Sequence, residues 1–142
     1  MTSFEIRAAF GRSTVMVGAV GGELERLIGG REVVAVTDAN VRRLHGGFFD
    51  DLRTIVIAPG EASKNLSVIE ELYGRFIGLG LDRSSFVLGV GGGVVTDLTG
   101  FAASTYMRGL PFGFAATGMA LPGRVRATLV AGTVAYEAAT GE

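Results

Sequence analysis

Four apolar runs of four or five residues punctuate the chain: Val33-Val34-Ala35-Val36, Thr54-Ile55-Val56-Ile57-Ala58, Phe86-Val87-Leu88-Gly89-Val90 and Phe112-Gly113-Phe114-Ala115-Ala116. Continuous rather than alternating hydrophobicity is the mark of strands buried on both faces of a parallel sheet. Between the second and third runs the period changes. Leu66, Ile69, Leu72, Phe76 and Leu79 recur at helical spacing, Ser67 and Glu70 stand at capping-box distance, and Gly78 and Gly80 end the pattern. A further helix is expected over Val94–Met107, with Val94, Leu98, Phe101 and Thr105 on one face. A short helix is expected over Glu23–Ile28. Residues 4–18 read as two strands turning at Gly11-Arg12, with Phe4, Ile6 and Ala8 alternating before the turn and Val15 and Val17 after it. The pattern is α/β: an N-terminal hairpin, then strands and helices in alternation.

The ends of three strands gather polar residues or glycines: Asp38 and Asn40, then Gly60 and Glu61, then Gly91-Gly92-Gly93. Parallel strands would carry these turns to one rim, where open α/β sheets bind their ligands. The three glycines lie between a strand and a helix. They let the backbone turn sharply, let a ligand approach without meeting a Cβ, and leave the first helical N–H groups aimed at an anion such as a pyrophosphate. A turn that is only a turn is the plain alternative. The spacing is not GxGxxG, and no Walker lysine and hydroxyl follow, which disfavours a P-loop nucleotidase.

Composition narrows the chemistry. At 142 residues the chain is one domain, or one domain with a tail, and can bury a core. Thirteen basic residues against 14 acidic ones give no charge imbalance for nucleic acid or a membrane surface. Cysteine is absent and His45 is the sole histidine, so thiolate catalysis and histidine-based metal sites are excluded. No apolar segment is long enough to span a bilayer, and the N-terminus lacks the pattern of a cleaved signal. A soluble cytoplasmic domain is expected.

Each polar residue has a structural and a functional reading. Asp97 either stabilises a helix N-terminus or accepts a ribose or substrate hydroxyl. Asp38 and Asn40 are caps or ligands. Glu61 and Lys64 form a surface ion pair, or bind a ribose or adenine edge. Arg108 complements a helix C-terminus or clamps a phosphate or carboxylate. His45 reads as solvated and structural.

Three segments in this order resemble the 3-dehydroquinate synthase family: Thr37-Asp38-Ala39-Asn40-Val41, Pro59-Gly60-Glu61-Ala62-Ser63-Lys64, and Gly91 through Gly109, ending Tyr106-Met107-Arg108-Gly109. The resemblance covers about residues 4–112. Iron-type alcohol and glycerol dehydrogenases share the glycine turn but continue differently; other sugar-phosphate cyclases look similar here. The resemblance implies a Rossmann-like NAD-binding domain over 1–112 with a divergent tail over 113–142. It implies an enzyme of the shikimate pathway that uses NAD and zinc or cobalt and converts a seven-carbon sugar-acid phosphate to 3-dehydroquinate with phosphate release. By motif position Asp38, Asn40, Gly60, Glu61, Lys64, Gly92, Gly93, Val94, Asp97 and Thr117 would contact NAD, and Arg108 would hold substrate. The expected partners are NAD and the sugar-acid phosphate, without nucleic acid or membrane; a homodimer is compatible with them.

Beyond Phe112 the chain departs from the family. Of the Pro-Thr-Thr turn only Thr117 is matched, and the family's substrate aspartate and lysine fall at Arg124 and Val130. Residues 126–141 faintly resemble the metal-binding helix with its histidines deleted, so no metal ligands are expected and the helical metal domain is largely absent. The expected protein is the NAD half of such an enzyme, inactive alone. A non-catalytic NAD-binding or interaction module, and a small oxidoreductase using Asp97 or Tyr106, are the competing readings.

Overall fold

The computed structural model describes residues 2–9, 11–17, 25–26 and 28–115, and the backbone of 127–130 and 133–137. Contacts group the chain into two units, Glu25–Gly118 and Met1–Leu24 with Met119–Glu142.

In the first of these, β3 (Val33–Asp38), β4 (Arg53–Ile57), β5 (Phe86–Val90) and β6 (Phe112–Ala115) form one sheet in the order β4-β3-β5-β6. Every neighbouring pair is parallel. The apolar runs thus form the expected strands, and β5 is buried along its whole length, but the edge strands β4 and β6 are covered on one face only and leave Val56 and Phe114 exposed. Ala116 lies outside the described residues. The connections are α1 (Ala39–Leu44), α2 (Leu66–Gly78) and α3 (Gly93–Thr105). Val34, Val36, Ile55, Ile57 and Val87 of the sheet pack with Ile69, Leu72 and Phe76 of α2 and with Val95, Leu98, Ala102 and Ala103 of α3. Burial of the valine, leucine, isoleucine and phenylalanine side chains among these stabilises the fold by about 1.5–3 kcal/mol each.

Two expected helix faces are corrected. Leu66 is exposed, because it is the first residue of α2 and precedes the turn that meets the sheet. The cap is Asn65, whose side chain accepts from the Val68 amide at 3.0 Å, so the Ser67–Glu70 box is not used. In α3 the buried face is Val95, Leu98, Thr99, Ala102 and Ala103, while Phe101 and Thr105 are outside. Small residues let α3 lie close on the sheet: a Cβ at Gly89 of β5 would stand 2.9 Å from Thr99 Oγ1. The helix ends at Thr105 rather than Met107, which adopts a left-handed backbone with φ 49°.

The second unit contains two hairpins. β1 (Thr2–Ala8) pairs antiparallel with β2 (Gly11–Val17), Ala8 opposite Gly11. Gly11 and Arg12 therefore begin β2 instead of forming the turn. β7 (Ala127–Val130) pairs antiparallel with β8 (Thr133–Glu137), so the segment that faintly resembled a metal-binding helix is extended. Of the expected helix at 23–28, residues 25, 26 and 28 are helical, and Glu23, Leu24 and Leu27 lie outside the described residues.

Candidate cofactor site

Parallel pairing sends the carboxyl ends of β3, β4 and β5 to one rim, and the three turns follow there. After β3, Asp38 caps α1: its Oδ1 accepts from the amides of Asn40 at 2.8 Å and Val41 at 2.9 Å. The cap reading of Asp38 is thus realised, with Asn40 exposed in the first turn of α1. After β4, Gly60 takes φ 96°, which favours glycine, and leads into a short 3-10 turn over Glu61–Ser63. The buried Ser63 hydroxyl donates to the Ala58 carbonyl at 2.7 Å and closes this loop on itself. Ser63 belongs to the Pro59–Lys64 segment, yet its role shows only once the loop is folded.

After β5 comes the glycine turn. Gly91 has φ 153°, and a Cβ there would stand 2.9 Å from Val95 Cγ2. Gly92 and Gly93 differ, because a Cβ on either would meet nothing within 4 Å. Gly92 caps α3 without any side-chain hydrogen bond. The early N–H groups of the helix, including that of Val94, are thus left without a side-chain cap at the positive end of the dipole. A phosphate-bearing cofactor fits this arrangement.

The Lys64 ammonium joins two of the turns. It lies 2.6 Å from Asp97 Oδ2 in the first turns of α3 and 3.9 Å from Glu61 Oε2. The i,i+3 pair with Glu61 expected from spacing is the longer contact. The hydrogen bond to Asp97, then its charge and that of Glu61, raise the Lys64 pKa above the ordinary lysine value. Lys64 is thus a fixed cation between two carboxylates, all three partly or fully exposed at the rim. Beside the pair, Leu66, Ile69, Leu98 and Phe101 line an open groove of about 300 Å³ between α2 and α3.

Arg108 is not brought to this rim. It follows α3, whose 13 residues carry the chain roughly 20 Å back along the sheet. It precedes β6, whose first residue Phe112 stands beside Val87 near the start of β5. Arg108 has φ 69° and lines a pocket with Arg83 and Met107. His45 caps the C-terminus of α1, away from these turns in sequence. Thr117 lies outside the described residues. Among the described residues no three histidines, cysteines, aspartates or glutamates come together to hold a metal ion.

A parallel sheet flanked by helices, with a glycine turn, an uncapped helix N-terminus and polar groups on one rim, is a Rossmann-like α/β domain. Comparison with known proteins narrows the class: residues 54–133 match the 3-dehydroquinate synthase N-terminal family, and the chain belongs to it. The 3-dehydroquinate synthase of Natranaerobius thermophilus is 51% identical over 87 residues, 54% of this chain and 24% of the relative. That of Streptococcus sanguinis is 43% identical over 106 residues, 65% of this chain and 28% of the relative. The chain thus spans about a quarter of the length of the curated relatives it matches. Among solved structures, a 2-deoxy-scyllo-inosose synthase shares the fold, with a TM-score of 0.68, 24% identity and coverage of 82% of this chain and 36% of that one. A 2-epi-5-epi-valiolone synthase from Streptomyces hygroscopicus, solved with NAD+ and Zn2+ bound, gives a TM-score of 0.52 and 30% identity, covering 63% of this chain and 29% of that one.

Proposed function

We propose that this chain is the NAD-binding part of a 3-dehydroquinate synthase, the lyase that converts 3-deoxy-arabino-heptulosonate 7-phosphate to 3-dehydroquinate with phosphate release in the cytoplasm. The observation that carries this reading is the Lys64–Asp97 bridge beside the open Gly92-Gly93 turn. Backbone N–H groups of Gly93 and Val94 would receive the pyrophosphate. The carboxylates of Asp97 and Glu61 would accept hydroxyl hydrogen bonds from the ribose nearer the reacting ring. Lys64, 2.6 Å from Asp97, holds that side chain in place for the role. The second oxygen of Asp38, its first being used by the α1 cap, and the Asn40 amide would hold the far ribose and base, with Gly60 keeping the chain clear. Thr117 would complete the site. NAD, when bound, supplies reversible uptake of hydride from an alcohol carbon.

The domain assignment that goes with this reading is 1–112 for the cofactor domain and 113–142 for the tail, whose first residues, Gly113–Ala115, complete β6 of the sheet. The described residues offer no donor set for zinc or cobalt, and no step is assigned to a metal. Arg108 stands a helix length from the cofactor turn, so it would reach a substrate anion only in an assembly, such as a homodimer. The chain alone is expected to bind NAD without releasing phosphate from the sugar-acid phosphate. A second reading, another sugar-phosphate cyclase, is favoured by the likeness to the valiolone synthase. Phosphate-release assays with the chain alone test the first reading. Release at the rate of a full-length synthase would contradict the assignment of inactivity, and release with a different sugar phosphate would favour the second reading.

A further inference from the structure

We infer that Thr37 is a positioning residue for the cofactor turn, an inference that deepens the cofactor reading and rests on it. Thr37 is the fifth residue of an otherwise apolar run, Val33-Val34-Ala35-Val36-Thr37, and is fully buried in the central strand β3. Valine has nearly the same shape and a higher strand preference, and a buried hydroxyl costs stability unless it is bonded. The hydroxyl has one particular partner. It donates to the Val90 carbonyl at 2.8 Å, across the sheet in β5.

Val90 is the last residue before the three glycines. The peptide joining Val90 to Gly91 is therefore held from both sides: its carbonyl by Thr37 of β3, its amide by the Ala115 carbonyl of β6 at 3.1 Å. Immediately beyond this peptide the chain reverses at Gly91 and enters α3 through Gly92. A rotation of the held peptide would turn the Gly92 cap and the N–H groups that follow. Thr99, equally buried where α3 meets β5, has no hydrogen-bond partner for its hydroxyl. The Thr37 bond stands instead at the one peptide that aims the helix N-terminus. Thr37 touches no cofactor in this scheme and acts through Val90.

Thr37→Val removes the hydroxyl and keeps the volume. Thr37→Ser keeps the hydroxyl and opens a methyl-sized gap in a buried strand, which lowers stability. A merely structural residue would make NAD+ binding follow stability. A positioning residue makes the two diverge: the serine variant binds NAD+ as the wild type does despite melting lower, and the valine variant binds about 5–10-fold more weakly. In the ligand-free 142-residue chain, amide exchange at Gly91 and Thr96, whose N–H groups donate to the Ala115 and Gly92 carbonyls, should quicken in the valine variant by a similar factor, with α2 unchanged, and return to wild-type rates with serine. Equal binding by wild type and the valine variant, or a uniform change in exchange across both helices, would overturn the inference. A wild-type chain that does not bind NAD+ would overturn the cofactor reading instead, and the exchange rates would then decide for or against Thr37 alone.

Discussion

The Lys64 ammonium and the Asp97 carboxylate, 33 positions apart in sequence, lie 2.6 Å apart and tie the loop after β4 to the first turns of α3. Both are substantially exposed, so the pair contributes little to stability. Lys64→Met is accordingly expected to change the melting temperature by no more than about 2 °C, while NAD+ affinity falls roughly tenfold because Asp97 is no longer held. Thermal melts and NAD+ titrations of the same preparation check both halves.

Two adjacent glycines are expected to behave in opposite ways. Gly91→Ala places a Cβ against the Val95 side chain at a φ that other residues rarely adopt, and destabilises by about 1–3 kcal/mol. Gly92→Ala meets nothing within 4 Å and leaves the fold intact, but its methyl occupies space a phosphate would use. Denaturant unfolding should separate the first variant from wild type, and NAD+ titration the second.

The pH response follows from two shifted groups. Lys64 has a raised folded pKa, so its contribution is complete below the ordinary lysine value and is lost only as pH climbs through the folded one. Asp82 has a lowered pKa because the Ser84 hydroxyl and amide hydrogen-bond its carboxylate, so its contribution is complete above the ordinary aspartate value and is lost as pH falls through the folded one. Neither group titrates in the neutral range. Melting temperatures measured across pH should therefore owe no slope there to Lys64 or Asp82, and Lys64→Met should flatten only the alkaline side.

In the core, Phe76 of α2 is fully buried, edge-on to Tyr106 with ring centres 5.4 Å apart. Phe76→Ala is expected to cost about 3–5 kcal/mol, measurable by urea unfolding and larger than the effect of any rim substitution above.

How much of this was legible beforehand depends on what kind of information each feature needs. The strands β3, β4, β5 and β6 were visible as continuous apolar runs, although only the inner strands β3 and β5 are buried on both faces while Val56 of β4 and Phe114 of β6 are exposed, and the shared rim followed from their direction. The buried face of α3 was misplaced because its contact with β5 is made by Thr99, Ala102 and Ala103, small side chains that hydrophobic spacing underweights, while the larger Phe101 faces outward. The turn of the first hairpin fell earlier than Gly11, since a glycine can begin a strand as readily as it makes a turn. Lys64 had a visible local partner in Glu61, but no local pattern announces Asp97. Arg108 belongs to the same uninterrupted segment as the glycine turn, yet a 13-residue helix separates them in space.

The central claim is that the rim binds NAD through the Gly92-Gly93 turn and Asp97. Calorimetric titration of the purified chain with NAD+, beside Asp97→Ala, tests it most directly. The account predicts saturable binding by the wild type and its loss in a variant whose far-ultraviolet dichroism is unchanged. A folded wild-type chain that takes up no heat with NAD+, or an Asp97→Ala variant that binds as tightly, would contradict it.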